Sequence, residues 1–233
     1  MTPSADPVLL AAPPVEVVVE RLQAIRTRIK DAGGDPEAVR VVAVTKGFDQ
    51  SAIRAAIEAG MTDVGENYPQ ELLSKASAAD SPGVTLHMIG AIQRRRIKAL
   101  ATVVDCWQTV SRSEEISSLA ELAPGVAVFI QVDTTGRPDR NGCSPADAPR
   151  LVSTAGEAGL RVRGLMTIGP GPQVPETETV SAFETVAGLA RDLDLGEISM
   201  GMTEDLQPAV AAGTTMLRVG RALFGPRTNA QGY

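Results

Sequence analysis

Apolar positions along the chain change period repeatedly, and the changes divide it into alternating strand and helix. Val15, Val18, Val19, Leu22, Ile25 and Ile29 recur at spacings of three and four and are followed by Gly33-Gly34, which predicts an amphipathic helix with a glycine stop. Beyond it, short apolar or β-branched runs near residues 40–45, 62–65, 85–89, 103–109, 126–132, 162–168, 197–200 and 215–219 read as strands. Helical stretches fall between them, near 49–59, 68–78, 92–100, 112–122, 145–158, 176–193 and 203–212. Ser111 with Glu114 gives a capping-box pattern, Gly60 and Gly159 stand where helix stops are expected, and Val180, Phe183, Ala187 and Ala190 share one face of 176–193.

Regular strand-then-helix alternation predicts a parallel sheet, and eight such units close most naturally into a single (β/α)8 TIM barrel, here with an extra N-terminal helix. An open doubly wound sheet is the competing α/β arrangement. The predicted division is a disordered N-terminal tail over 1–13, the barrel over 14–227 and a C-terminal tail over 228–233. A barrel gathers its functional groups at the C-terminal ends of the strands, so those ends are where chemistry is sought.

Composition narrows the function classes. With 233 residues, 43% of them hydrophobic, the chain can bury the core of one large α/β domain. Its 22 basic against 28 acidic residues give a net charge of −6, which argues against a surface built to neutralise nucleic-acid phosphates. Cys106 and Cys143 lie far apart, outside any C-x-x-C or zinc-ligand spacing, so no metal is expected and a reducing cytoplasm suits the pattern. The apolar stretch from Val8 to Val19 lacks a basic flank, contains Pro13, Pro14 and Glu16, and is too short to span a bilayer, so neither a signal peptide nor a membrane segment is expected.

Lys46 closes the run Val41-Val42-Ala43-Val44-Thr45 and precedes Gly47. Desolvation at the mouth of a buried strand disfavours the charged amine and leaves a nucleophile able to form a Schiff base. The alternative is a lysine that snorkels to water or pairs with a carboxylate such as Glu66. Other strand ends supply Gly65-Glu66-Asn67-Tyr68, His87-Met88-Ile89-Gly90, Met166-Thr167-Ile168-Gly169, Ser199-Met200-Gly201-Met202-Thr203 and Arg218-Val219-Gly220. The small, hydroxyl-bearing loop Ser199, Gly201, Thr203 and the glycine Gly220 after the last strand could converge backbone N–H groups on a phosphate, although Ser199 and Thr203 could instead cap the following helix. Arg218, facing inward, needs an acceptor. A pyridine nitrogen would serve, and would be kept unprotonated by an arginine that retains its own proton; an ion pair with Glu66 or Asp205 is the structural alternative. His87 reads as a hydrogen-bonded structural histidine or a general acid or base, and Arg94-Arg95-Arg96 as a solvated first helical turn or a second anion site.

These stretches resemble the pyridoxal phosphate homeostasis proteins, single-domain relatives of the alanine racemase barrel. The matching segments are Val44-Thr45-Lys46, Gly65 to Glu71, His87 to Gln93, Gly164 to Gly169 and Leu195 to Arg227, and the resemblance spans roughly residues 15 to 227. It implies that Lys46 forms the internal aldimine with pyridoxal 5′-phosphate. It further implies that Ser199, Gly201, Thr203 and Gly220 serve the phosphate, that Arg218 faces the pyridine nitrogen, and that Asn67 and Met166 line the ring. Two positions depart from the family pattern: Arg94-Arg95-Arg96 stand where an asparagine and a lysine usually follow Gln93, and Thr203 replaces a serine while keeping its hydroxyl.

Racemisation through this cofactor needs a base on each face of the substrate. Lys46 can serve one face. The two-domain racemases take the other base from a tyrosine of a β-rich second domain, whereas this chain has only Tyr68 and Tyr233. The expectation is therefore a protein that stores, buffers or delivers pyridoxal 5′-phosphate, with PLP-dependent apo-enzymes as partners and a monomeric state. A weak PLP-dependent amino-acid racemase is the alternative, and a cofactor-free Schiff-base aldolase is a third.

Overall fold

Each barrel strand carries two sets of side chains at a period of two, and the two sets build different layers. The computed structural model describes residues 9–227 and closes eight parallel strands in chain order, with the last paired to the first. The strands are β1 Arg40–Val44, β2 Asp63–Glu66, β3 Thr85–Met88, β4 Cys106–Val110, β5 Ala127–Gln131, β6 Arg161–Met166, β7 Glu197–Ser199 and β8 Met216–Val219. Around them lie α1 Val15–Asp31, α2 Gln50–Glu58, α3 Pro69–Ala79, α4 Arg94–Leu100, α5 Ser113–Leu122, α6 Ala148–Glu157, α7 Glu176–Asp192, α8 Leu206–Ala211 and α9 Arg221–Phe224. Closure sets Val42 beside Arg218 and Ala43 beside Val219.

Outward-facing Ala43, Trp107, Val128, Ile130, Leu165 and Leu217 pack beneath the helices against residues such as Ile25, Ile53, Leu72 and Phe183. Inward-facing Val42, Cys106, Ala127, Phe129, Met166 and Met216 form a separate apolar cluster inside the barrel. Polar side chains share that interior: His87, Gln108, Ser199 and Arg218 are all buried. Both faces of every strand are therefore covered, which is why the strands read as continuous apolar runs rather than as alternating patterns.

The predicted helix stops hold. Gly33, Gly60 and Gly159 all adopt positive φ, and the Gly34 N–H closes α1 on the Ile29 carbonyl at 3.0 Å. The predicted capping box is displaced: α5 begins at Ser113, and the Ser111 N–H donates to Glu115 Oε2 at 2.8 Å while Glu114 points to solvent. Of the tail predicted to be disordered, residues 1–8 lie outside the described residues, but Leu10 is attached. Its N–H donates to the Gly47 carbonyl at 3.1 Å, its carbonyl accepts from the Asp49 N–H at 2.7 Å, and the Ala12 N–H donates to Ser51 Oγ at 2.8 Å. The loop after β1 offers backbone groups that the strands leave unpaired, and the arm satisfies them. The predicted tail over 228–233 lies outside the described residues.

Candidate functional site

The turn after β1 consists of Thr45, Lys46 and Gly47, and Gly47 takes φ +79°, a conformation glycine adopts without penalty. A side chain there would also meet Arg227 Cδ at 2.7 Å. Lys46 is half-buried and lines a cavity of about 1350 Å³ at the C-terminal mouth of the barrel. Its Nζ makes no hydrogen bond or ion pair among the described residues. Burial, then the Arg227 guanidinium, lower its pKa from 10.5, against the pull of Glu66 and Glu71.

The pairing of Lys46 with Glu66 does not form; another lysine engages one oxygen of that carboxylate, and the other, Oε2, is buried without a hydrogen-bond partner among the described residues. Fully buried Glu66 accepts through Oε1 from Lys75 Nζ and from Thr45 Oγ1, each at 2.5 Å, and burial raises its pKa despite those partners. Lys75, 2% exposed, also pairs with Glu71 at 3.1 Å. The sequence reading missed Lys75 entirely. Its one available signal was the four-residue spacing from Glu71 on a helix.

Arg218 lies on β8, the strand hydrogen-bonded to β1. Its NH1 donates to the Ser199 carbonyl (2.8 Å) and hydroxyl (2.7 Å), and NH2 donates to the Thr167 carbonyl (2.8 Å). The ion pair with Glu66 or Asp205 is not made, all three acceptors are neutral, and Nε–H has no partner among the described residues. Burial lowers the Arg218 pKa to about 10, against Asp205, which leaves it charged at neutral pH. Behind it, Ser199 Oγ donates to Gln108 Oε1 (2.7 Å), and Gln108 Nε2 donates to His87 Nδ1 (2.9 Å). That orientation assigns the His87 proton to Nε2, which donates to Asp63 Oδ1 at 2.9 Å. The lone histidine is thus a buried link in a chain of hydrogen bonds, as its structural reading foresaw.

Lys46, Asn67, Met166, Thr203, Arg218 and Gly220 all line the cavity. Ser199 does not; it stands behind Arg218. Gly201 is buried beneath the loop, where a Cβ would fall 2.4 Å from Ala209 Cβ. Neither Ser199 nor Thr203 caps α8, since Asp205 precedes it and Thr203 Oγ1 accepts instead from the Ala222 N–H of α9 at 3.3 Å. At Gly220 an added Cβ would press on the Val44 carbonyl at 3.1 Å, so the loop lies against the end of β1. Arg94 and Arg95 are exposed on the first turn of α4 and Arg96 is half-buried.

The lining carries Lys46, Arg140, Arg218, Arg221 and Arg227 against Glu176, Glu204 and Asp205, a cationic surplus in a chain of net charge −6. Arg140, which donates to the Gly169 and Pro170 carbonyls (3.2 and 2.9 Å), and Arg227 were not singled out from sequence. No group of three or more His, Cys, Asp or Glu among the described residues could hold a metal. An uncompensated amine, a guanidinium with a spare N–H and a surplus of positive charge fit a small ligand that carries an aldehyde, a ring acceptor and an anionic group.

Residues 20–228 match the family described as alanine racemase, N-terminal domain. The chain is 36% identical over 225 residues to the pyridoxal phosphate homeostasis protein of Pseudomonas aeruginosa, covering 91% of this chain and 97% of that one. It is 38% identical over 210 residues to the protein of the same description from Deinococcus radiodurans, covering 87% and 97%. Among solved structures it is similar to PipY of Synechococcus elongatus with PLP bound, with a TM-score of 0.76 and 32% identity over 89% of this chain and all of that one.

Proposed function

This chain belongs to the pyridoxal phosphate homeostasis protein family, and from that premise we propose that it binds pyridoxal 5′-phosphate in the barrel mouth and stores, buffers or delivers it. When bound, the cofactor supplies an aldehyde that an amine captures reversibly as a Schiff base and a phosphate that anchors it. In this reading Lys46 holds the aldehyde, and Asn67 and Met166 flank the ring. Arg218 faces the ring nitrogen, and Thr203 and Gly220 receive the phosphate. Ser199 and Gly201 act from behind, the first by fixing the Arg218 guanidinium and the second by letting the loop after β7 lie close to α8.

The observation that carries the reading is the Lys46 amine: it opens onto a cationic cavity, has no counter-ion and has a lowered pKa. A lowered pKa enlarges the share of neutral amine, the form that attacks an aldehyde. The reading takes the protein to work in the cytoplasm as a monomer that passes its cofactor to PLP-dependent apo-enzymes. Its test is spectroscopic. Purified protein loaded with pyridoxal 5′-phosphate and then freed of unbound cofactor by gel filtration should show a visible absorbance band that borohydride abolishes, with the label then fixed on Lys46. Lys46→Ala should remove the band, and a band that survives in that variant would refute the assignment. Transfer is checked by mixing loaded protein with a PLP-dependent apo-enzyme and following recovery of that enzyme's activity against an equal amount of free cofactor.

A further inference from the structure

We infer that Lys75, which does not line the cavity, is a positioning residue for Lys46: it clamps the turn that carries that amine and pairs with one oxygen of each nearby carboxylate, leaving the amine to face the cavity outside any ion pair. The role deepens the reading of Lys46 as the cofactor amine and rests on it.

The Lys75 ammonium sits among four acceptors. Two are the carbonyls of Thr45 (3.1 Å) and Phe48 (2.8 Å), which bracket Lys46-Gly47, and two are Glu66 Oε1 (2.5 Å) and Glu71 Oε2 (3.1 Å). Glu71 Oε2 also accepts the Gly47 N–H at 2.8 Å, and Glu66 Oε1 the Thr45 hydroxyl. One buried ion cluster thereby grips the turn through backbone on both sides of Lys46, while the Lys46 side chain stays outside the cluster. A buried ammonium is tolerated when its hydrogen bonds and counter-charges are all supplied, as they are here.

The charge arrangement follows from the same contacts. The charged groups acting on Lys46 are Arg227 from the chain after α9, Glu66 at the end of β2 and Glu71 on α3. With Lys75 in place, both carboxylates have a nearer cation. Without it, Lys46 is the amine left to compensate them, which would raise its proton affinity and draw it away from the cavity.

The chain has four lysines, Lys30, Lys46, Lys75 and Lys98, so a direct titration is tractable. Reductive methylation of the cofactor-free protein with ¹³C-formaldehyde, followed by NMR against pH, reads the Lys46 pKa, with the signal assigned by its loss in Lys46→Arg. Wild type should titrate below 10.5. Lys75→Met should raise the Lys46 value by about one unit or more, and Lys75→Met with Glu71→Gln should bring it back toward wild type, a reversal that loss of packing would not produce. Glu71→Gln alone keeps the clamp and should lower the value by about half a unit, which preserves the test if Lys75→Met does not fold.

A Lys46 value unmoved in Glu71→Gln, or unmoved in a folded Lys75→Met, overturns the inference. Because these titrations contain no cofactor, the two ideas fail separately. A wild type that takes up no pyridoxal 5′-phosphate while its Lys46 responds to Lys75 defeats the cofactor reading alone. One that takes it up while Lys46 does not respond defeats the positioning role alone.

Discussion

Gly90 is the least replaceable single position beside the cavity. A Cβ there would fall 1.8 Å from the Asn67 carbonyl oxygen, and since the obstacle is backbone it cannot rotate away. Gly90→Ala should cost about 1–3 kcal/mol by overpacking and should weaken pyridoxal 5′-phosphate binding through displacement of Asn67, as read from the denaturant midpoint and an absorbance titration. Unchanged values in both would mean that the strand end yields more readily than its contacts imply. The two thiols make a contrasting case. Burial pushes Cys106 up to about 12 and Cys143 up to about 11, so neither should react with a thiol reagent at neutral pH until denaturant is added. At this scale Lys46 was legible because it interrupts an apolar run. Ser199 was read as a loop residue for a phosphate or a helix cap, whereas it ends β7 inside the barrel with Arg218 standing in front of it, a depth that only packing shows.

Helix α2 begins where three separate attachments meet. Asp49 Oδ1 accepts the Ser51 N–H at 2.8 Å as the N-cap, the Asp49 N–H reaches Leu10, and Ser51 Oγ receives Ala12. Asp49→Ala should cost about 1 kcal/mol of stability through loss of the cap, measurable by urea unfolding, and should loosen the Leu10 arm from the turn beside Lys46. All eight strands were legible because a barrel strand buries both of its faces. Helix α9 was not, since four residues are too few to display a helical period. The capping box slipped by one acidic residue because α5 starts two residues beyond Ser111, which puts Glu115 rather than Glu114 within reach of the Ser111 N–H. Composition could not reveal that Leu10 docks, because docking depends on carbonyl and amide groups left open by another loop.

Across the whole molecule, hydrogen bonds thread the barrel interior from Arg218 at one mouth to Asp63 near the other, where Arg40 joins Asp63 and Glu197, and Arg163 pairs with Glu197. Burial works against the Asp63 carboxylate, but the His87 hydrogen bond, Thr62 and Arg40 hold its pKa below 3.8. A carboxyl with a depressed folded value stabilises the fold above its unfolded value and loses that contribution as pH falls through the folded one. Glu66, raised by burial, works in the opposite sense. Thermal melts below about pH 4 should therefore fall off less steeply in Asp63→Asn than in wild type, although the variant starts from a lower melting temperature at neutral pH; parallel curves would remove Asp63 from the account.

The pairing of β1 with β8 carries a consequence for synthesis. A chain still tethered to the ribosome, with β8 inside the exit tunnel, already displays Lys46 but lacks the wall that Arg218 and Gly220 provide. The cavity proposed to seat the cofactor is therefore complete only once the final strand has paired with the first.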